Sequence, residues 1–360
     1  MKAWIALALL LAAPLAVGAP AASAPYPIAD FVAKIEALRQ SAHIPGLSMA
    51  VVKDGTVLLA TGLGYADLEQ AVPAAADTPY DIASVAKPLS AVVALKLVEE
   101  GKLDLDRPLD QYSQWQGFCD DFSRQPSVLA KGLDCQAKGH SLRHLLSHTA
   151  TGQPGRRFSY NPVLYSWASR PMMAVTNKRF SELVARYVFA PAGMTLSARK
   201  YRDLPLRADL ATAQAQPYRI DDKGLAHRAD ARGAQGDGAA GGVVSTALDL
   251  ARFDIALDEG RLISKASLAL MMTPTALTGG TTAPYGLGWF IEPYQGHGLV
   301  WHSGWWEQAY SALYLKVPDQ KLSFIVLANS EGVWWHNRPD RAEVAQSAFA
   351  QAFLATFMAP

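Results

Sequence analysis

Cysteine is nearly absent: Cys119 and Cys135 are the only two in 360 residues. So few cannot staple a small fold, and with no ligand cluster beside them they do not make a structural zinc site. An excess of one charge is lacking too, with 33 Lys and Arg against 32 Asp and Glu and a formal charge of +1. A chain so balanced has no electrostatic footprint for nucleic acid or an anionic membrane surface. No repeat period appears, which sets solenoids and propellers aside. No stretch reaches the roughly 20 apolar residues that a membrane span requires. What is present is globular material, 50% hydrophobic and 18% charged. At this length folding removes roughly three quarters of the accessible surface.

The first residues stand apart. Lys2 supplies a positive start, Trp4 to Leu15 forms an apolar run broken by Pro14, and small residues follow as far as Pro25. This pattern predicts a secretory signal peptide and leader over residues 1–24. Ala19-Pro20-Ala21 favours cleavage after Ala21, because a cut after Ala24 would leave Pro25 on the wrong side of the bond. No cysteine near that point offers a lipid anchor, so the expected product is periplasmic or secreted, without a stable membrane anchor. In an oxidising compartment Cys119 and Cys135, 16 positions apart, are expected to bridge, which the chain-entropy account values at about 3 kcal/mol. The alternative is two unpaired thiols.

Residues 25–360 read as a single domain. Phe31, Ile35 and Leu38 mark a helix over Ile28 to Ala42. Leu47 to Val52 and Val57 to Leu63 are β-formers around the turn Lys53-Asp54-Gly55-Thr56, a hairpin signal. Ser84 to Glu100 predicts a helix ending at Gly101, with Pro88 absorbed near its start. Ser141 to Ser147, Ser181 to Phe189 and Thr246 to Ala256 are further helix candidates. Gly286 to Glu292, Leu299 to His302, Tyr310 to Val317 and Leu322 to Ala328 are β-like, and Arg341 to Phe357 returns to a helix. The expectation is a mixed α/β fold. Its sheet region comes from about 25–80 and 285–360, and a mostly helical lobe from about 103–270 is set between them.

Chemistry first suggests itself at Ser84-Val85-Ala86-Lys87. Positions i and i+3 share a helix face, so a desolvated Lys87 amine can serve as the base that a serine hydroxyl requires. The spacing alone is common: Ser197-Ala198-Arg199-Lys200 repeats it, and its polar surroundings read as surface. Gly46-Leu47-Ser48-Met49-Ala50 nearly matches a nucleophile elbow, but Ser48 lies inside a β-stretch and the final glycine is missing, so it reads as a buried strand serine. His140, His144 and His148 recur every four residues without a carboxylate partner, which is weak support for a metal site. Trp301, Trp305, Trp306, Trp334 and Trp335 either converge as an apolar wall or pack loops onto the sheet.

Several segments together carry a family resemblance. Tyr80 to Lys87, continued by Leu97 to Asp106, resembles the nucleophile segment of the serine β-lactamase and penicillin-binding-protein superfamily. The branch is the one holding class C β-lactamases, serine esterases and D-amino-acid peptidases. Leu142-Arg143-His144-Leu145-Leu146-Ser147-His148-Thr149, Gly241 to Phe253 and Tyr285-Gly286-Leu287-Gly288-Trp289 resemble later segments of that branch, in the same order. The resemblance implies a serine β-lactamase-like fold, an antiparallel sheet flanked by helices plus the helical lobe, with Ser84 at the junction. It assigns the proton relay to Tyr160, with Tyr165 also in its expected place. The motif asparagine should stand at 162, where this chain has Pro162, and Asn161 falls one position early. Trp301-His302-Ser303-Gly304 takes the place of the third motif. Its implied roles are a hydrogen bond or charge from His302, substrate contact by Ser303, close approach at Gly304, and an oxyanion donor at the Trp305 N–H beside that of Ser84.

The expected activity is therefore two-step acyl transfer by a serine hydrolase on a small-molecule ester, amide or D-peptide, without metal or cofactor. A β-lactamase or D-Ala-D-Ala carboxypeptidase is the alternative enzyme. A penicillin-binding sensor or scaffold that traps the acyl group is the non-enzymatic one.

Overall fold

The computed structural model describes residues 26–112, 114–124, 134, 138–230, 233–334 and 337–358. The leader predicted over residues 1–24, Cys135 and Trp335 lie outside the described residues. Among the described residues twelve strands run in chain order. They are β1 (Gly46–Lys53), β2 (Thr56–Asp67), β3 (Val72–Pro73), β4 (Tyr80–Asp81), β5 (Ala198–Arg199), β6 (Tyr218–Ile220), β7 (Ala226–Arg228), β8 (Val243–Ser245), β9 (Phe290–Tyr294), β10 (His297–Trp306), β11 (Tyr310–Val317) and β12 (Leu322–Ala328).

Seven of them form one antiparallel sheet in the order β3-β2-β1-β12-β11-β10-β9. The N-terminal hairpin thus joins the C-terminal meander along β1 and β12, with Ala50 opposite Ile325. Asp54 and Gly55 both adopt positive φ, 50° and 73°, the conformation that a tight two-residue hairpin turn needs. β12 is buried on both faces, which explains its unbroken apolar sequence. Phe324 and Val326 face the terminal helices Ile28–Ser41 and Ala348–Phe357, whereas Ile325 and Leu327 face the rest of the molecule. Tyr26 and Phe31 meet Phe357 behind the sheet, at ring separations of 5.1 and 4.8 Å.

On the opposite face lies the helix Ala86–Glu99, whose side chains are buried on nearly every side. An apolar helix without a polar face belongs in a core. The helix Ala247–Asp258 is capped by Thr246 and tied to β11 through Asp254, which bonds the Tyr314 hydroxyl and Lys316. The central region is less uniformly helical than its composition predicts. Short strands β4, β8 and β5 form a second sheet, and β6 and β7 form a small hairpin. Residues predicted as a strand from Gly286 are extended only from Phe290. Before that, Gly288 turns at φ 84°, and the Leu287 and Gly288 N–H groups bond Met271 and Leu146 carbonyls instead of a neighbouring strand. The final helix starts at Ala348, after a short 3-10 turn at Val344–Gln346.

Candidate active site

Ser84 sits on a single 3-10 turn, Ala83–Val85, between β4 and the Ala86–Glu99 helix. The residue before it, Ala83, has φ 47°. A non-glycine residue there stores roughly 1–3 kcal/mol of backbone strain, and the surrounding bonds must hold it. The Ile82 N–H donates to the Val243 carbonyl at 3.0 Å, and the Ala83 N–H to Asp81 Oδ1 at 2.9 Å. The outcome is a partly exposed Ser84 hydroxyl on an otherwise buried segment.

Lys87 begins the next turn and is completely buried. Its Nζ lies 2.7 Å from Ser84 Oγ and 3.2 Å from the Ala240 carbonyl. Burial holds the ammonium well below its usual range, with no carboxylate among the causes, so the neutral amine is the favoured form. The aromatic rings of Tyr160 and Tyr165 flank Nζ at 5.1 and 5.3 Å. The Tyr165 hydroxyl donates to the Lys87 carbonyl at 3.0 Å. Tyr160 bonds Ser84 through its phenol, while burial pushes that phenol above its ordinary value and keeps it protonated. Ser84, Lys87 and Tyr160 therefore converge.

His302 follows a different course. It is fully buried behind Tyr160, its ring 6.1 Å from the tyrosine ring. Its Nε2 bonds the Tyr285 hydroxyl at 2.8 Å and its Nδ1 faces the Ser303 carbonyl at 2.7 Å. Burial holds the imidazole well below its usual pKa, so it is neutral, and it does not line the cleft. Any influence of His302 passes through its neighbours rather than by direct charge. Ser303 does line the cleft, but its hydroxyl donates to the Pro339 carbonyl at 2.6 Å. Gly304 is obligatory on steric grounds, since a Cβ there would lie 2.4 Å from the Ile82 carbonyl oxygen. Trp305 is 44% exposed at the cleft wall.

Asn161 is a helix cap. Its Oδ1 accepts the Val163 and Leu164 N–H groups, each at 3.1 Å, and Pro162 occupies the first helical position. Asparagine followed by proline is a helix-start signal, which accounts locally for the displaced motif residue. His140 bonds the Ala150 carbonyl, His144 closes a capping box with Ser141, and His148 accepts the Asn161 N–H. Among the described residues no group of three metal-ligating side chains is found.

The tryptophans divide. Trp306 and Trp334 join Trp305 along the cleft, whereas Trp301 is buried in the core behind the sheet, stacked on Phe290 at 4.5 Å. Ser48 is a buried strand serine bonded to the Ala75 carbonyl and Tyr80. The second Ser-x-x-Lys copy, expected on the surface, is instead structural. Ser197 is buried against Ser245 and Asp249, and Arg199 is buried in an ion pair with Asp237. Arg199 also bonds the Gly238 and Gly241 carbonyls, bracing the segment that offers Ala240 to Lys87. The sequence reading missed this brace, although Asp237-Gly238-Ala239-Ala240-Gly241-Gly242 is a run where backbone, not side chains, would approach a site.

The comparisons with known proteins agree with this geometry. The Beta-lactamase family profile matches residues 31–349. The chain belongs to the Beta-lactamase family. It is 26% identical over 332 residues to Penicillin-binding protein 4* of Bacillus subtilis (strain 168), covering 77% of this chain and 68% of that one. It spans only 38% of several other curated relatives. Among solved structures it resembles D-amino acid amidase from Ochrobactrum anthropi SV3, with TM-score 0.65, 20% identity, and 90% and 98% of the two chains covered. It also resembles a β-lactamase/D-alanine carboxypeptidase from Pseudomonas syringae, with TM-score 0.69, 19% identity, and 92% and 98% covered. Both likenesses establish the serine β-lactamase-like fold.

Proposed function

We propose that this protein is a serine hydrolase that acylates Ser84 and prefers uncharged esters or D-amino-acid amides and peptides to β-lactams. The observation that carries the reading is the 2.7 Å contact between Ser84 Oγ and a fully buried Lys87 amine, whose pKa burial holds well below its usual value. Ser84 Oγ attacks the substrate carbonyl carbon as its proton passes to the Lys87 lone pair. The negative charge gathers on the former carbonyl oxygen, facing the backbone N–H groups of Ser84 and Trp305. Tyr160 passes a proton to the departing alkoxide or amine, and the bond to the leaving group breaks. Water then attacks the acyl-enzyme, gives a proton back through the same groups, and releases a carboxylic acid with free Ser84.

The cleft supports this substrate preference. Its volume is about 2170 Å³, larger than the roughly 300–1,000 Å³ of a small-ligand pocket, which favours an extended substrate. Trp305, Trp306, Trp334, Trp167 and Phe118 supply apolar contact. The described rim carries Asp221, Asp222, Glu307, Glu331 and Asp340 against Arg170, Lys223 and Arg338, and Arg338 is paired with Asp340. His302 adds no charge. An acidic rim opposes a substrate carboxylate.

Specificity constants at pH 7.5 for aryl esters, D-amino-acid amides, a chromogenic cephalosporin and a D-Ala-D-Ala peptide test the proposal. Neutral esters or amides should lead. A cephalosporin rate more than tenfold above every neutral substrate would replace the reading with β-lactamase. A stable acyl-enzyme with every substrate would replace it with a sensor.

A further inference from the structure

Asp81 touches neither the cleft nor Ser84, yet two pieces of the site hang from one of its oxygens. Oδ1 accepts the Ala83 N–H at 2.9 Å and the Trp306 Nε1–H at 2.8 Å. The first bond holds the strained φ 47° residue whose next N–H belongs to Ser84. The second holds the end of β10, one residue beyond Trp305. Asp81 is 5% exposed, and burial pushes its carboxyl pKa up against the opposing pull of the Ala83 and Trp306 bonds and of the Lys200 and Arg199 charges. Two bonds accepted by a single buried oxygen fix the distance between their donors.

We infer that Asp81 is a positioning residue that sets the spacing between the nucleophile turn and the oxyanion strand. The inference rests on the acyl-transfer reading of Ser84. Backbone continuity carries the argument. From Oδ1 the chain runs through Ala83 to the Ser84 N–H on one side, and through Trp306 to the Trp305 N–H on the other. Those two N–H groups are the oxyanion donors of the proposed mechanism. Nothing else described joins both segments through one atom so close to the reacting serine. Gly304, having no Cβ, lets the two segments come close, and Asp81 holds them at that distance.

The test uses the second-order rate of covalent labelling by a small fluorophosphonate, which needs the oxyanion donors but too little of the cleft to sense Trp306 directly. Asp81→Leu should slow labelling about 100-fold, the usual consequence of an ångström of misplacement. Asp81→Asn keeps an acceptor oxygen and should restore the rate to within about fivefold of the parent. Trp306→Phe keeps an aromatic side chain, loses the indole N–H and should slow labelling about tenfold. The double variant Asp81→Leu/Trp306→Phe should be no slower than Asp81→Leu, because both changes act through one oxygen. Substrate KM should move less than kcat in each variant. If Asp81→Leu fails to fold, Trp306→Phe and Asp81→Asn decide: Trp306→Phe labelling at the parental rate overturns the inference. So does a loss of thermal stability in Asp81→Leu with parental labelling, or an Asp81→Asn as slow as Asp81→Leu is expected to be. Ser84→Ala separates the two levels. Labelling that persists there refutes the Ser84 reading itself, whereas a silent Ser84→Ala beside a fully active Asp81→Leu refutes the positioning role alone.

Discussion

Gly304→Ala puts a number on how closely β10 must approach the nucleophile turn. The new Cβ would lie 2.4 Å from the Ile82 carbonyl oxygen and 2.8 Å from the Ala312 Cβ. Ordinary contact begins at 3.4 Å, so the carbonyl side falls short by 3.4 − 2.4 = 1.0 Å. Neither obstacle is the far end of a flexible side chain. Strand and turn must therefore separate by about 1 Å, enough to cost about 100-fold in rate. That factor corresponds to ~2.7 kcal/mol in the barrier. Overpacking adds a stability loss of about 1–3 kcal/mol, which a denaturant titration measures separately. Gly298→Ala is the control, since the same strand has nothing within 4 Å at that position. The assay is kcat/KM for an aryl ester on protein verified as folded. If Gly304→Ala stays within threefold of the parent, close approach of β10 to Ile82 does not govern the chemistry.

Four shorter predictions accompany it. Because burial depresses the Lys87 pKa and the base form is neutral, kcat/KM should rise with pH through that depressed value and level off well below 10.5; a rate still climbing at pH 10 would exclude Lys87 as the base, and Lys87→Arg should abolish the plateau. Ser84→Ala should lose turnover and covalent labelling, whereas Ser197→Ala should keep labelling and lose about 1–3 kcal/mol of stability from its buried bonds to Ser245 and Asp249; a label mapped to Ser197 would overturn the site. Asn161→Ala removes a cap that accepts two N–H groups and should destabilise by about 1 kcal/mol while leaving kcat within threefold, and a selective rise in KM would reveal substrate contact instead. Exported protein should begin at Ala22, and non-reduced peptide mapping should link Cys119 to Cys135; full alkylation of both thiols without reductant would refute the bridge.

Local pattern was enough for the hairpin, the helix after Ser84 and the strands β11 and β12, because each of those signals is contained in its own segment. The Lys53-Asp54-Gly55-Thr56 turn and the two-sided apolar run of β12 are examples. Ser84 and Lys87 were legible for the same reason, being one helical turn apart. Roles that depend on long-range neighbours were not. His302 keeps the third-motif position, but only the fold reveals Tyr285 and the Ser303 carbonyl occupying its nitrogens. Ser197 and Arg199 look solvated in a polar stretch, yet β5 pairs with β8 and carries them inward. Trp301 and Trp305 are four residues apart on one strand, but a core and a cleft claim them separately. Asp81 carried no signal of its own, since one of its two partners, Trp306, lies 225 residues away.

The pairing of the terminal helices behind the sheet has a practical consequence for handling the protein. Tyr26 and Phe357 are in ring contact at 5.1 Å, and neither lines the cleft. A linker of a few residues from Met358 to Tyr26 would therefore close the chain into a circle without crossing the substrate path. New ends could then be opened at an exposed turn such as Asp54-Gly55, leaving the order of the sheet unchanged. The same geometry favours tethering from the C-terminal side. A surface coupled there would attach through residues that do not line the cleft.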